Sequence, residues 1–470
     1  MKKYILLFVI CLFCSSYAIS QTVGVTDFMR LNPYSNFNNP AYFIPYKGYV
    51  SLPFISNINL SYYNSGLLYN SLFEIQKGGQ FNMKKVLNSL SKNNWFNVKL
   101  NAELIGFGLQ IQNHFLSFNY RFVFDERFRF SQDLFGFLLQ GHSAYTKESP
   151  AILEIEPNLN LYSEMCFGLQ SKVTDRLYIG VRPKLLFGAV NLNTENFYAK
   201  IYTDPNDNTI YGKFDIDFNM ASAVPFHEID ADGNISFTSK YLFNYTNVLR
   251  HIFFSKNVGF AIDFGAVFRI NKQIRVSASV TDLGFIRWRT FPLNMRMISV
   301  SDDQEFFYFT ADQFQTFFKD RIFMNFDEII NKNFTLTSVH SYKTMLTSKV
   351  MFDGYFDLTP SNRFILQLKG YIFGKKFLPQ FTVAYNGSFF NIIDVVVSYS
   401  IMKQSFTNFG VGAGLRMGPA HLYFGADNLF SFFNLLSTKR MSVTAGLLID
   451  FPITKKVKES DLKSLFNNNL

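Results

Sequence analysis

The feature that most narrows what this chain can fold into is an alternation of apolar and polar residues with a period of two. It recurs along most of the sequence, and no segment reaches the ~20 consecutive apolar residues of a membrane helix. From Phe96, the set Phe96, Val98, Leu100, Ala102 and Leu104 alternates with Asn97, Lys99, Asn101 and Glu103. The phase then slips by one, and Ile105, Phe107, Leu109 and Ile111 alternate with Gly106, Gly108 and Gln110. Period two is the signature of a strand with two unlike faces, and a single-residue slip predicts a β-bulge. The same texture returns over 258–269 and 274–281, and near the end, where Phe409, Val411, Ala413 and Leu415 oppose Gly410, Gly412, Gly414 and Arg416.

Alternation alone fits a large soluble sandwich as well as a membrane barrel, and connection lengths separate the two. Fourteen strands are predicted at 49–63, 95–112, 114–125, 161–170, 175–190, 257–270, 274–288, 346–358, 363–373, 379–386, 390–402, 407–417, 420–428 and 440–451. The long links, 64–94, 126–160, 191–256 and 289–345, all fall at one end, and tight turns such as Asn271–Gln273 and Gly418-Pro419 fall at the other. Short turns on one side and long loops on the other are the habit of outer-membrane barrels. In such a barrel the apolar set faces lipid, because turning Lys99 outward costs roughly 2–4 kcal/mol near the midplane. The expected fold is therefore all-β: a transmembrane antiparallel β-barrel of about 14 strands, with an N-terminal plug segment and long, partly helical extracellular loops.

Composition agrees. Aromatics are 18% of the chain and charged residues 17%, against ~25% charged in typical soluble domains, yet mean hydropathy is only +0.04. Residues 1–20 read as a signal peptide: Lys2 and Lys3, an apolar run from Tyr4 to Tyr17, then Ala18-Ile19-Ser20 as a small-x-small cleavage site. Cys11 and Cys14 leave with it, so Cys166 stands alone and neither a disulfide nor a cysteine metal site is expected. Removing Lys2 and Lys3 takes the net charge from +10 to +8. Export and the scatter of the basic residues argue against nucleic acid, and the one cluster, Lys455, Lys456, Lys458 and Lys463, lies in a polar basic tail, 452–470. The domain plan is signal peptide 1–20, plug 21–48, barrel 49–451 and tail. The last strand, Thr444 to Phe451, has the residue types of an outer-membrane assembly signal, although the tail follows it.

Helices are predicted from Asn82 to Ser91, from a cap at Ser131 to about Gln140, and over 310–331. They either narrow the barrel mouth or pack on themselves. Within 191–256, the alternation Phe214, Ile216, Phe218 and the stretch 235–242 suggest an outer hairpin joined through Asp232-Gly233-Asn234. Glu228, Asp230, Asp232 and Gly233 occupy calcium-loop positions, but position twelve is Ser239, and a plain Asp-Gly turn is favoured. None of the six His has metal-ligand spacing; His142-Ser143 is the only hint of catalysis, and no enzyme, cofactor or metal is expected. The lumen-lining candidates Arg121, Arg182, Asp263, Arg269, Arg275 and Arg416 carry both signs. They either tune ion flow or pair across a filled interior.

Four places carry a family likeness: Asn39-Pro40-Ala41; the stretch from Ser277 to Trp288 with Asp282, Leu283, Gly284 and Trp288; Ser341-Tyr342-Lys343-Thr344; and Gly425-Ala426-Asp427-Asn428-Leu429. Over roughly 25–451 the chain resembles the uncharacterised outer-membrane barrels of Bacteroidota, which are distantly similar to the long-chain fatty-acid transporters and the type IX secretion shuttle barrel. The resemblance implies fourteen strands and a small N-terminal plug containing Asn39, Pro40 and Ala41; it does not imply fatty-acid transport. The expected location is the Gram-negative outer membrane. Expected partners are its lipid and lipopolysaccharide, the barrel assembly machinery, and a hydrophobic small molecule or a secretion component. Two functions stay open: a passive channel or carrier for a small solute, and a non-transporting scaffold.

Overall fold

The computed structural model describes residues 24–451 apart from single or paired positions and the stretches 67–72, 75–79, 238–252, 299–306, 310–334 and 434–437. The sequence readings for the signal peptide, the 310–331 helix and the basic tail lie outside the described residues. One antiparallel sheet dominates and closes on itself. Its fourteen strand positions are β1 (Gly48–Ser51 and Ile58–Asn64), β2 (Asn93–Ile111), β3 (His114–Ser131), β4 (Ala151–Leu153 and Ile155–Lys172) and β5 (Leu177–Thr203), then β6 (Ile210–Ser222 and Val258–Arg269) and β7 (Ile274–Trp288, Leu293–Ile298 and Phe307–Phe309). There follow β8 (Thr335–Ser338, Tyr342–Met345 and Ser348–Thr359), β9 (Asn362–Phe373), β10 (Lys376–Phe389), β11 (Ile393–Met402), β12 (Ser405–Met417), β13 (Ala420–Ala426) and β14 (Arg440–Phe451). Each pairs with its chain neighbour, and β14 returns to β1, with Gly48 opposite Phe451 and Ile58 opposite Ala445. Closure removes the edge strands that an open sheet would leave unpaired.

The two faces follow the sequence pattern. In β2, Phe107 and Leu109 are more than half exposed on the outer wall while Gly106 and Gly108 are buried on the inner one. The slip falls where predicted: the register of β2 against β3 shifts between Glu103 and Ile105. Lys99 points inward and meets Asp125 at 3.5 Å. Six turns of two to four residues join the strands at the end where the barrel begins and finishes, and the longest connections lie at the other. Both loop helices form. α1 (Met83–Ser89) is capped by the Asn82 side chain, which accepts from the Lys85 amide, and α2 (Gln132–Gln140) by Ser131, which accepts from the Leu134 amide. Leu90, Val86, Phe130 and Phe137 are buried around them, so this part of the mouth packs on itself.

The reading of 191–256 as one long link is wrong. β5 runs on for 27 residues to Thr203, roughly 90 Å at ~3.3 Å per residue, about three times a hydrocarbon core. Its upper half pairs with Ile210–Ser222, so Phe214–Phe218 belongs to the wall and not to an outer hairpin. Val190 and Leu192 still alternate with Asn191 and Asn193, but Thr194 and Asn196 interrupt the pattern beyond them. What remains is an insertion within β6, and the ladder closes across it: the Ala223 amide donates to Ala189 and the Gly188 amide to Asn257. The Asn257 side chain accepts from the Arg289 and Thr290 amides, which satisfies the groups freed on β7. At its tip, Asp230 accepts from the Asp232 and Asn234 amides, which shapes a hairpin turn between two short strands.

Candidate functional site

Residues 24–46 precede the barrel and make contact with its inner wall on many sides. Two short turns of 3-10 helix, Val25–Phe28 and Pro33–Phe37, shape the segment, the second started by Asn32, whose side chain accepts from the Tyr34 amide. At its beginning, the carboxylate of Asp427 accepts from the Gly24 and Val25 amides at 3.0 and 2.8 Å. This accounts for the Asp427 of the fourth motif: an acceptor at the end of β13 that fixes the start of the segment.

Further along, Phe37 is clamped between guanidinium groups, with Arg121 4.1 Å and Arg182 4.5 Å from its ring centre. Tyr34 packs against Tyr49 and Tyr423 and donates to Glu103. Asn39-Pro40-Ala41 then docks in a notch. Asn39 folds its side chain back to accept from the Ala41 amide at 2.9 Å, an Asx turn. Gly180 of β5 and Gly265 of β6 face each other in register. A β-carbon at Gly180 would collide with the Pro40 carbonyl, and one at Gly265 with the Asn39 side chain. Ser279 donates to the Asn38 carbonyl at 2.8 Å and Gln170 to that of Ala41 at 3.1 Å. Tyr42 donates to Asp353. The inward glycines of β12 serve the same purpose, since Gly412 lies under Val25 and Met29.

Charge fastens the segment at the turn end. Asp357 is shared by Arg30 of the segment (3.3 Å), Arg275 of β7 (2.8 Å) and Arg363 of β9 (2.6 Å). Burial, with Arg363 close by, draws the Arg30 guanidinium down to about 9. Burial likewise pushes the Asp27 carboxyl up to about 7, against the lowering effects of Lys369 and of its bond to Asn38.

The remaining sequence candidates take the following places. Arg121 pairs with Glu164 at 3.3 Å, Arg182 sits 3.6 Å from Asp263, and Arg416 meets Asp450 at 2.7 Å with Tyr46 beneath it. Arg269 stands half-buried opposite Arg275 in the ladder. Asp282 is the extra residue of a bulge between β6 and β7 and adopts the left-handed conformation that Asp tolerates better than most (φ 60°). Its carboxylate holds Lys184 at 2.5 Å and Lys349 at 2.8 Å, while its amide donates to Asp263. Leu283 faces outward, and Gly284 lets β6 approach, since a β-carbon there would strike the Phe260 carbonyl. Trp288 is fully buried and donates to Thr344 at 2.8 Å, so the second and third motifs bond to one another. Tyr342 of the third reaches Asn191 at 2.6 Å. His142 bonds Thr203 and braces a loop turn.

Above the segment the lumen is crossed again. Arg127 of β3 holds Asp125 in two hydrogen bonds, reaches the Thr347 hydroxyl on the opposite wall at 2.6 Å, and covers the Phe373 ring at 4.2 Å. Beside it lies a cavity of about 70 Å³ lined by Lys99, Arg121, Asp125, Glu164, Asp282 and Lys349, among others. Sequence reasoning missed Gly180, Gly265, Lys184, Lys349 and Asp357. Inward-facing glycines in a strand are a legible sign that another piece of chain comes close, but nothing local says which piece.

A family of unknown function, DUF5723, matches residues 40–427. No curated protein matches the sequence. Among solved structures, the Pseudomonas putida toluene transporter TodX aligns at 6% identity and TM-score 0.39, covering 89% of this chain and 92% of that one. The Ralstonia pickettii toluene transporter TbuX aligns at 6% identity and TM-score 0.42, covering 89% and 94%. A Pseudomonas aeruginosa FadL homologue aligns at 10% identity and TM-score 0.30, covering 90% and 94%.

Proposed function

This chain belongs to the family of unknown function DUF5723, and from that premise we propose that it is a β-barrel of a Gram-negative outer membrane serving as a passive channel or carrier for a small solute. Residues 24–46 are its removable obstruction, and the short turns face the periplasm. One observation carries the reading. The barrel closes through its own ladders, with β14 on β1, while the segment inside is held by side-chain hydrogen bonds, one shared carboxylate and a glycine notch. Its release breaks no strand pairing.

The solute passes through the lumen once the segment swings or withdraws. In the variant where the solute is hydrophobic, a lipophilic molecule co-purifies with the protein in the lumen or at the mouth. A second reading has its own observation: Arg127 ties β3 to the far wall above the segment, which suits a non-transporting scaffold that docks secretion or envelope partners by its loops. Planar-bilayer conductance separates the two. Under the channel reading, wild type is closed or nearly so and deletion of 24–46 raises conductance at least tenfold. A deletion variant that folds, inserts and stays closed refutes the gating role and favours the scaffold.

A further inference from the structure

We propose that the cavity beside Arg127 is a binding station for a small oxyanion of the carboxylate or phosphate type. The inference rests on the channel reading only for its place on a transport path; the site itself is argued from the wall chemistry.

Four cations, Lys99, Arg121, Arg127 and Lys349, line the cavity against three carboxylates, Asp125, Glu164 and Asp282. The carboxylates are already engaged. Asp125 takes two hydrogen bonds from Arg127, Glu164 pairs with Arg121, and Asp282 is shared with Lys184 from outside the cavity lining. Lys99 is left 3.5 Å from Asp125, beyond a good charge-assisted bond, and Arg127 Nη1 is buried without an acceptor. Asp125 thus serves two cations, and the lining keeps one positive charge more than its carboxylates supply, which an anion would balance.

Size and shape are consistent. About 70 Å³ holds roughly five to seven waters at 10–15 Å³ each, enough for a phosphate or a short carboxylate. The lining comes from β2, β3 and β4 on one wall and from β7, β8 and β9 on the other. An anion there contacts both halves of the barrel. Asn97, Asn101 and Tyr162 complete the lining around the charged groups.

The test titrates the purified mature protein in detergent with inorganic phosphate and, separately, with propionate, at constant chloride, by calorimetry and by ligand-observed NMR. Saturable binding of either probe at one site per barrel is expected, phosphate alone identifying a phosphate station and propionate a carboxylate one. Arg127→Gln and Lys99→Gln are each expected to weaken it at least tenfold. Arg296→Gln, which removes an exposed charge outside the cavity, is expected to bind within threefold of wild type, and heat-modifiable gel mobility reports that each variant is folded. No binding of either probe to wild type, or wild-type affinity in folded Arg127→Gln, overturns the proposal. Conductance of the 24–46 deletion is read separately. Binding without conductance removes the channel and keeps the site; conductance without binding removes the site and keeps the channel.

Discussion

Replacing Gly180 by Val fills the notch that receives Asn39-Pro40-Ala41, because the new side chain occupies the space of the Pro40 carbonyl. The wall itself should tolerate the change, since Val suits a strand. The cost falls on the docked segment. Two hydrogen bonds of ordinary length are lost there, from Ser279 to Asn38 (2.8 Å) and from Gln170 to Ala41 (3.1 Å). The Asn39 contacts to Ala278 and Ala266, at 3.3 and 3.4 Å, add little. At 0.5–1.5 kcal/mol per bond, the loss is about 2 kcal/mol, or about 30-fold in the undocking equilibrium. Hydrogen exchange reads this directly at the Ala41 and Tyr42 amides, which bond to Asn39. Their exchange should quicken about 30-fold while the ladder amides keep their protection. Gly354→Val is the control, at a position where a β-carbon meets open space. Unchanged exchange at Ala41 and Tyr42 in a folded Gly180→Val barrel would refute the notch.

Other perturbations test separate parts of the account. Asp357→Asn leaves Arg30, Arg275 and Arg363 facing one another without their carboxylate; a loss of about 1–3 kcal/mol, discounted for partial exposure, should appear in urea unfolding and as faster exchange around Arg30. The raised Asp27 value means that docking binds a proton: its contribution is complete below about pH 4 and is lost as pH rises through about 7, so protease sensitivity of the 24–46 segment should grow from pH 5 to pH 8, and Asp27→Asn should flatten that profile. Leu366→Arg places a charge on the outer wall of β9 and should cost about 2–4 kcal/mol in lipid, measured by folding into vesicles of known thickness. Trp288→Phe removes the bond to Thr344 and should cost about 1 kcal/mol without changing the gel mobility of the folded barrel.

Much of the fold was legible wherever lipid dictates one face of a strand. The alternation in β2, the slip at Glu103–Ile105, both helix caps and the position of all fourteen strands could be read from residue order alone. Legibility failed along the extension of β5, where Thr194 and Asn196 interrupt the alternation, and at its partner 210–222, whose alternation could be read but whose place in the wall could not. In the interior, charged residues could be assigned to the lumen by their phase, but their partners could not. Lys184 meets Asp282 across 98 positions of sequence, and Arg127 meets Thr347 across 220. Such pairs are set by barrel closure, which no local pattern encodes. The motif around Asp282 illustrates both sides. Its residues stood out in the sequence, whereas their purpose, a left-handed bulge residue anchoring two lysines and a tryptophan bonded to the next motif, needed coordinates.

Everything above depends on which face of each strand meets acyl chains. Single cysteines placed along Arg363–Lys369 of β9, in a Cys166→Ala background reconstituted in vesicles, measure that face by quenching of an attached fluorophore with lipid-borne and with water-soluble quenchers. Positions 364, 366 and 368 should respond to the lipid quencher, and positions 365, 367 and 369 should not. Equal quenching by the aqueous reagent at both sets, or a lipid response from the second set, would contradict the account.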